Sequence, residues 1–205
     1  MTKVCAVVLA AGRSSRFRAM GGAEETKLVA KLDGKPVVRR VVEAALASRA
    51  RPVIVVVGHA RSAVEAALGG LPALLAPNPD YRTGIASSLR VGLAATPAEA
   101  QGAVVLLGDM PNVSARLIDD LIDAFEAQPS ARAATPIEGG RRGNPILLTR
   151  RLFDEAMRLD GDEGARRLLT ALDPREIVEI IARDSDVTFD IDIPDDLEAA
   201  RRGRK

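Results

Sequence analysis

Val4-Cys5-Ala6-Val7-Val8-Leu9-Ala10-Ala11-Gly12-Arg13-Ser14-Ser15-Arg16-Phe17 is the stretch on which the fold turns. Val4 to Leu9 is an unbroken apolar run of strand length, rich in β-branched side chains. Such a run suits a strand buried on both faces of a parallel sheet. A loop of Gly, Ser and Arg follows and reaches about Lys27. In open α/β sheets, ligands bind in the crevice outside the carboxyl ends of the strands. Small residues there let backbone approach a ligand, and free N–H groups can cradle an anion. Arg13, Arg16 and Arg18 add positive charge, and Lys27 closes the segment. Neither G-x-G-x-x-G nor G-x-x-x-x-G-K-[ST] occurs here, so this is neither the dinucleotide fingerprint nor a P-loop. From spacing alone, an ordinary glycine-containing turn with solvated arginines stays open as a reading.

Working outward, Pro36 opens a helix of about 14 residues, with Val37, Val38, Val41, Val42, Ala45 and Leu46 on apolar spacing. A second buried strand is expected at 53–57, a short helix at 61–68 and a strand at 71–76. Next come a helix at 87–95 with Ser87 as N-cap, and a strand at 103–107. Asn112 or Ser114 caps a long helix to about Glu126. Strands are expected at 131–136 and 145–148, then helices at 151–158 and 163–172. Strand-like segments recur at 177–181 and 187–191, and Pro194 opens the last helix. This alternation predicts a single α/β domain, with a Rossmann-like, mostly parallel sheet and helices on both faces. The basic tail, 201–205, reads as a solvated end.

Composition narrows the chemistry. The 205 residues suffice for one domain that needs no disulfide or metal to fold. With 29 Lys and Arg against 28 Asp and Glu, the net charge of +1 excludes the basic bias of a general nucleic-acid binder. No apolar run approaches the roughly 20 residues that a membrane-spanning helix needs, and no signal peptide is expected. One cysteine, Cys5, cannot form an internal disulfide, which points to the cytoplasm. It is expected to be buried and inert. One histidine, His59, excludes His-rich metal sites and argues against a Ser-His-Asp triad. His59 reads as a loop histidine. The polar chemistry must therefore rest on carboxylates, Arg, Lys and backbone groups.

Two acidic segments stand out. Asp109 follows a strand directly, in Leu107-Gly108-Asp109-Met110-Pro111. A carboxylate there suits a hard cation such as Mg²⁺, which takes one or two protein carboxylates plus phosphate oxygens. A turn aspartate is the competing reading. In Asp190-Ile191-Asp192-Ile193-Pro194-Asp195-Asp196, the first two aspartates alternate along an extended segment and point the same way. One of them can complete a metal site. Asp195 and Asp196 fall in a helix's first turn, where negative charge is favourable. Ser87 and Ser88 lie near a helix N-terminus, where anions bind. Arg141 and Arg142, in the loop 139–145, can grip a phosphate monoester or another acidic ligand group, with a solvated hairpin turn as the competing reading. Asp162 reads as a helix cap.

The ordered segments A-A-G-R-S-x-R, G-K-P, N-P-x-Y, G-D-M-P, R-G-N-P, G-D-x-G-A-R and D-I-D-x-P carry a further signal. Together they resemble the MobA-like nucleotidyltransferases from about Val4 to Arg201, and most closely the molybdenum cofactor cytidylyltransferases. The resemblance implies a nucleotide-diphospho-sugar transferase-like fold. It implies transfer of CMP from CTP to a phosphorylated acceptor, molybdopterin, with Mg²⁺ as cofactor and release of pyrophosphate. Nucleotide contacts are then expected at Leu9, Ala10, Ala11, Gly12, Ser14, Arg16, Lys27, Asn78, Gly84, Ser88 and Gly108. Metal ligands are expected at Asp109 and Asp192, with Asp190 as the alternative. Arg16, Lys27 and Asp109 carry the catalysis. Arg142, Gly143 and Asn144 contact the acceptor.

Residues 1–112 would then serve the nucleotide and 113–200 the acceptor, with a molybdoenzyme or its maturation factor as partner. Ala10-Ala11, where guanylyl-transferring relatives carry glycine, favours CTP over GTP. Two departures from the family pattern stand out: nine residues separate Phe17 from Lys27, and Ile193 replaces a threonine. Two other readings stay open. One is a same-fold transferase using GTP or another nucleotide with a sugar-phosphate or phospholactate acceptor. The other is a molybdenum cofactor binding and delivery protein without turnover.

Overall fold

The computed structural model describes residues 3–182 and 187–202. Along the chain run β1 (Val4–Ala10), α1 (Ser15–Ala19), a 3₁₀ turn (Lys27–Val29), a two-stranded ribbon of β2 (Lys31–Leu32) and β3 (Lys35–Pro36), and α2 (Val37–Ala47). Then come β4 (Val53–Val57), α3 (Arg61–Leu68), β5 (Leu74–Pro77), α4 (Ile85–Ala94), β6 (Gly102–Leu107) and α5 (Ala115–Ala127). The remainder is β7 (Ala133–Glu138), β8 (Arg141–Arg142), β9 (Ile146–Thr149), α6 (Phe153–Ala156), α7 (Ala165–Ala171), β10 (Ile177–Ile181) and α8 (Pro194–Arg202).

The main sheet has the order β10-β7-β9-β6-β1-β4-β5, and β8 pairs with β7 at its margin. Pairing is parallel except where β9 runs against β6 and β7, and in the β7–β8 hairpin. The expected α/β domain, mostly parallel with helices on both faces, is what the chain forms.

The continuous apolar run of β1 has a simple cause. Successive strand side chains point to opposite faces, and both faces of β1 are covered. Val4, Ala6, Val8 and Ala10 pack on one side, with α2, α3 and α5. Val7, Leu9 and Ala11 pack on the other, with α4, α6 and α7. A Cβ at Gly92 of α4 would lie 2.3 Å from Val7 Cγ1, so only glycine lets that helix sit so close to the sheet. A third, smaller core joins Phe17, Leu32 and Val37 to Ile191 and Leu197. It ties α1, the ribbon and α8 to the end of the sheet where the loops emerge.

Several expected boundaries shift. Ser87 does not cap α4: the helix starts at Ile85 behind Gly84, and Ser87 Oγ donates to the Gly84 carbonyl at 2.8 Å. Gly164, not Asp162, stands at the N-cap of α7. The helix expected at 151–158 is shorter, a 3₁₀ turn (Arg150–Leu152) leading into α6. Residues 187–191 are not a strand. They are held by single main-chain bonds, Asn144 N–H to the Val187 carbonyl at 2.9 Å and Ile191 N–H to the Asp109 carbonyl at 3.1 Å. Arg201 and Arg202 belong to α8, and 203–205 lie outside the described residues. Among the described residues, no helix is long and apolar enough to cross a membrane.

Candidate active site

β1 and β6 are parallel neighbours, with Leu9 opposite Leu107. The loops that leave them therefore emerge from the same edge of the sheet. The Gly108 N–H donates to the Leu9 carbonyl at 2.9 Å, and Asp109 follows at once. The Asp109 carbonyl then accepts the Ile191 N–H, and the Ile191 side chain is fully buried. That bond sets Asp190 and Asp192, which flank Ile191, alongside Asp109. Carboxylate oxygens of Asp109, Asp190 and Asp192 lie within 4.8 Å of one another.

Lys27 enters this cluster. Its Nζ sits 2.7 Å from Asp109 Oδ2 and 2.8 Å from Asp192 Oδ1. Arg16 pairs with the other Asp192 oxygen. The longer stretch before Lys27 is tied off locally: Ser14 and Thr26 hydroxyls are 2.8 Å apart, and the Lys27 N–H donates to Ser14 Oγ at 3.2 Å. Phe17 and Leu28 are buried on either side of the insertion. The nine intervening residues thus leave Lys27 beside the carboxylates.

Burial disfavours the Lys27 charge, but Asp109 and then Asp192 outweigh it and hold its pKa above the ordinary value. The Lys27 hydrogen bond holds Asp192 below its ordinary range. Asp190 is pushed up, first by burial and then by the charges of Asp109 and Asp192. It has no ion-pair partner among the described residues. Three carboxylates converging on one point are a hard-cation donor set. An ammonium already sits between two of them, so the residues present fit a divalent metal.

Leu9, Ala11, Gly12, Ser14, Arg16, Lys27, Gly84, Ser88 and Asp109 line one cleft of about 590 Å³. Ala10 and Gly108, also expected as nucleotide contacts, are buried and do not line the cleft. Asn78 is not on the wall. It is 2% exposed, and its Nδ2 donates to Ser87 Oγ at 2.9 Å and Ser88 Oγ at 3.0 Å. It therefore acts as a strut behind Ser88. Arg142 and Asn144 line a second cavity of about 810 Å³, together with Asp190. Gly143 is buried beside them, its N–H donating to the Pro136 carbonyl at 2.8 Å. Tyr81, Arg82, Ile85 and Asp162 also line the first cleft. Sequence reasoning had Asp162 as a cap and did not single out the other three, although Tyr81 stands inside the N-P-x-Y segment.

The mostly parallel α/β sheet, with a cationic loop and a carboxylate cluster meeting at one edge, is that of a nucleotidyltransferase-like domain. Residues 6–176 match the MobA-like NTP transferase domain, and the chain belongs to that family. The purine catabolism protein PucB of Bacillus subtilis is 30% identical, over 96% of this chain and 95% of its own. The bifunctional protein GlmU of Sorangium cellulosum is 33% identical over 65% of this chain. The chain spans about a quarter of the length of such GlmU relatives. Among solved structures, Rv0371c of Mycobacterium tuberculosis superposes with a TM-score of 0.82 at 29% identity, covering 98% of both chains. A structure of Rv0371c in complex with manganese superposes at 0.80, with 28% identity.

Proposed function

We propose that this chain is a Mg²⁺-dependent nucleotidyltransferase. It moves CMP from CTP to a phosphorylated acceptor, molybdopterin, and releases pyrophosphate. The observation that carries the reading is the meeting of two cavities at one carboxylate cluster. Asp109 stands on the wall of the cleft behind the Leu9–Arg16 loop, and Asp190 on the wall of the arginine-lined cavity. A donor and an acceptor could each occupy one cavity with their reacting phosphates at the junction. Residues up to about 112 then serve mainly the nucleotide, and the rest the acceptor.

Asp109 and Asp192, with Asp190 beside them, would hold the cation. Mg²⁺ there supplies charge neutralisation at the nucleotide's phosphates. Lys27 and Arg16 take the leaving pyrophosphate, exchanging their aspartate partners for phosphate oxygens. The loop backbone around Gly12, with Ser14, orients the triphosphate. Ala10-Ala11 favours the smaller cytosine base. A phosphate oxygen is already a nucleophile, so positioning and charge neutralisation suffice and no histidine base is needed.

The test supplies each of the four nucleoside triphosphates, labelled at the α-phosphate, with a molybdopterin acceptor. The expected result is label from CTP in the acceptor adduct, with one pyrophosphate released per transfer. Transfer from GTP alone, or binding without turnover, would overturn the CTP assignment or the enzyme reading respectively.

A further inference from the structure

Three arginines line the second cavity: Arg141, Arg142 and Arg166. They are not equivalent. Arg142 Nε donates to Glu179 Oε1 at 2.7 Å, so its charge is already compensated. Arg166, at the start of α7, donates from Nη2 to the Arg142 main-chain carbonyl at 2.6 Å. A carbonyl fixes the direction of a guanidinium without cancelling its charge, and one bond leaves most of its five N–H donors for other partners. Neither Arg141 nor Arg166 has a carboxylate partner among the described residues.

The opposite side of the problem is electrostatic. Asp190 lines the same cavity and belongs to the carboxylate cluster. An anionic acceptor drawn toward that cluster meets like charge, so it needs an uncompensated cation to hold it. A guanidinium fits because its planar fork takes two phosphate oxygens at once.

We infer that Arg166, aided by Arg141, recognises the acceptor as a phosphate monoester, and that Arg142 is a positioning residue that aims Arg166. Naming the ligand an acceptor rests on the nucleotidyl-transfer reading; the anion site itself does not. The Arg142–Glu179 pair anchors β8 to β10, and the β8 carbonyl in turn carries the Arg166 fork.

The experiment has two arms. In the first, the full chain is labelled with phenylglyoxal, with and without inorganic phosphate, and each arginine is followed by mass spectrometry. Phosphate should slow labelling of Arg166 and Arg141 severalfold. It should leave Arg167 unchanged, since that side chain pairs with Glu163 and lines no part of the cavity. Equal labelling of Arg166 with and without phosphate would overturn the inference.

In the second arm, transfer rates are measured for Arg166→Gln and Arg166→Lys. The glutamine variant should raise the acceptor KM about tenfold or more and leave the CTP KM unchanged. The lysine variant should recover part of the loss. An unaltered acceptor KM in Arg166→Gln would overturn the role. If the unaltered protein transfers no nucleotide at all, the nucleotidyl-transfer reading falls, and the footprint alone decides the anion site.

Discussion

Lys27 is held where a cation belongs, between Asp109 and Asp192, with Arg16 on the outer oxygen. Without nucleotide, the site is thus partly self-neutralised, and a divalent metal must compete with an ammonium. Lys27→Gln should therefore bind Mn²⁺ several-fold more tightly than the parent in the absence of nucleotide, read by calorimetry or by Mn²⁺ spin resonance. The same variant should lose about a hundredfold in turnover, because the leaving phosphate loses its cation. Weaker metal binding would contradict the competition. Cys5 offers a second residue-scale test. Burial pushes its pKa from 9.0 up to about 11. A raised value in the folded state means that the thiol's contribution to stability is complete below about 9 and is lost as pH rises through about 11. The thiol should therefore ignore a disulfide reagent at about pH 8 until the chain is unfolded, and stability should decline across that alkaline window.

Among the elements, β1, β4 and β6 were legible because burial on both faces leaves an unbroken apolar run. The 187–191 segment was not. Its alternating apolar residues look like a strand, yet Ile191 points into the third core and the segment keeps single bonds to Asn144 and Asp109 instead of a ladder. Asn78 was legible as part of a motif but not as a strut, since its partners Ser87 and Ser88 depend on where α4 begins. That start is set by Gly84, whose φ is +108° and whose added Cβ would lie 2.1 Å from the Gly161 carbonyl oxygen. Both the backbone angle and the contact exclude a side chain. Gly84→Ala should cost about 3 kcal/mol or more in urea unfolding. It should also weaken nucleotide binding, because Ser88 rides on the same turn. A cost below about 1 kcal/mol would show that the turn is not constrained as described.

At the scale of the whole molecule, the near-neutral composition conceals a polarised edge. Arg16 and Lys27 on the first loop pair with a cluster of three aspartates brought from two distant segments. The alternation of strands and helices was readable from the sequence, and it places the ends of β1 and β6 side by side. The alternation of Asp190 and Asp192 offered one of them to Asp109, and the family resemblance favoured Asp192; that both converge on Asp109 was not readable. The convergence depends on a main-chain bond from Ile191 to Asp109 across more than eighty residues of sequence. The division of roles between Arg142 and Arg166 was not readable at all, because it turns on Glu179 of β10. The central claim is metal-dependent transfer at the three-aspartate junction. Asp109→Asn preserves the shape of that junction and removes a charge. Pyrophosphate release from CTP, with Mg²⁺ and the pterin acceptor, should fall at least about a hundredfold in this variant, with the fold intact by circular dichroism. Release at the parent rate would contradict the account.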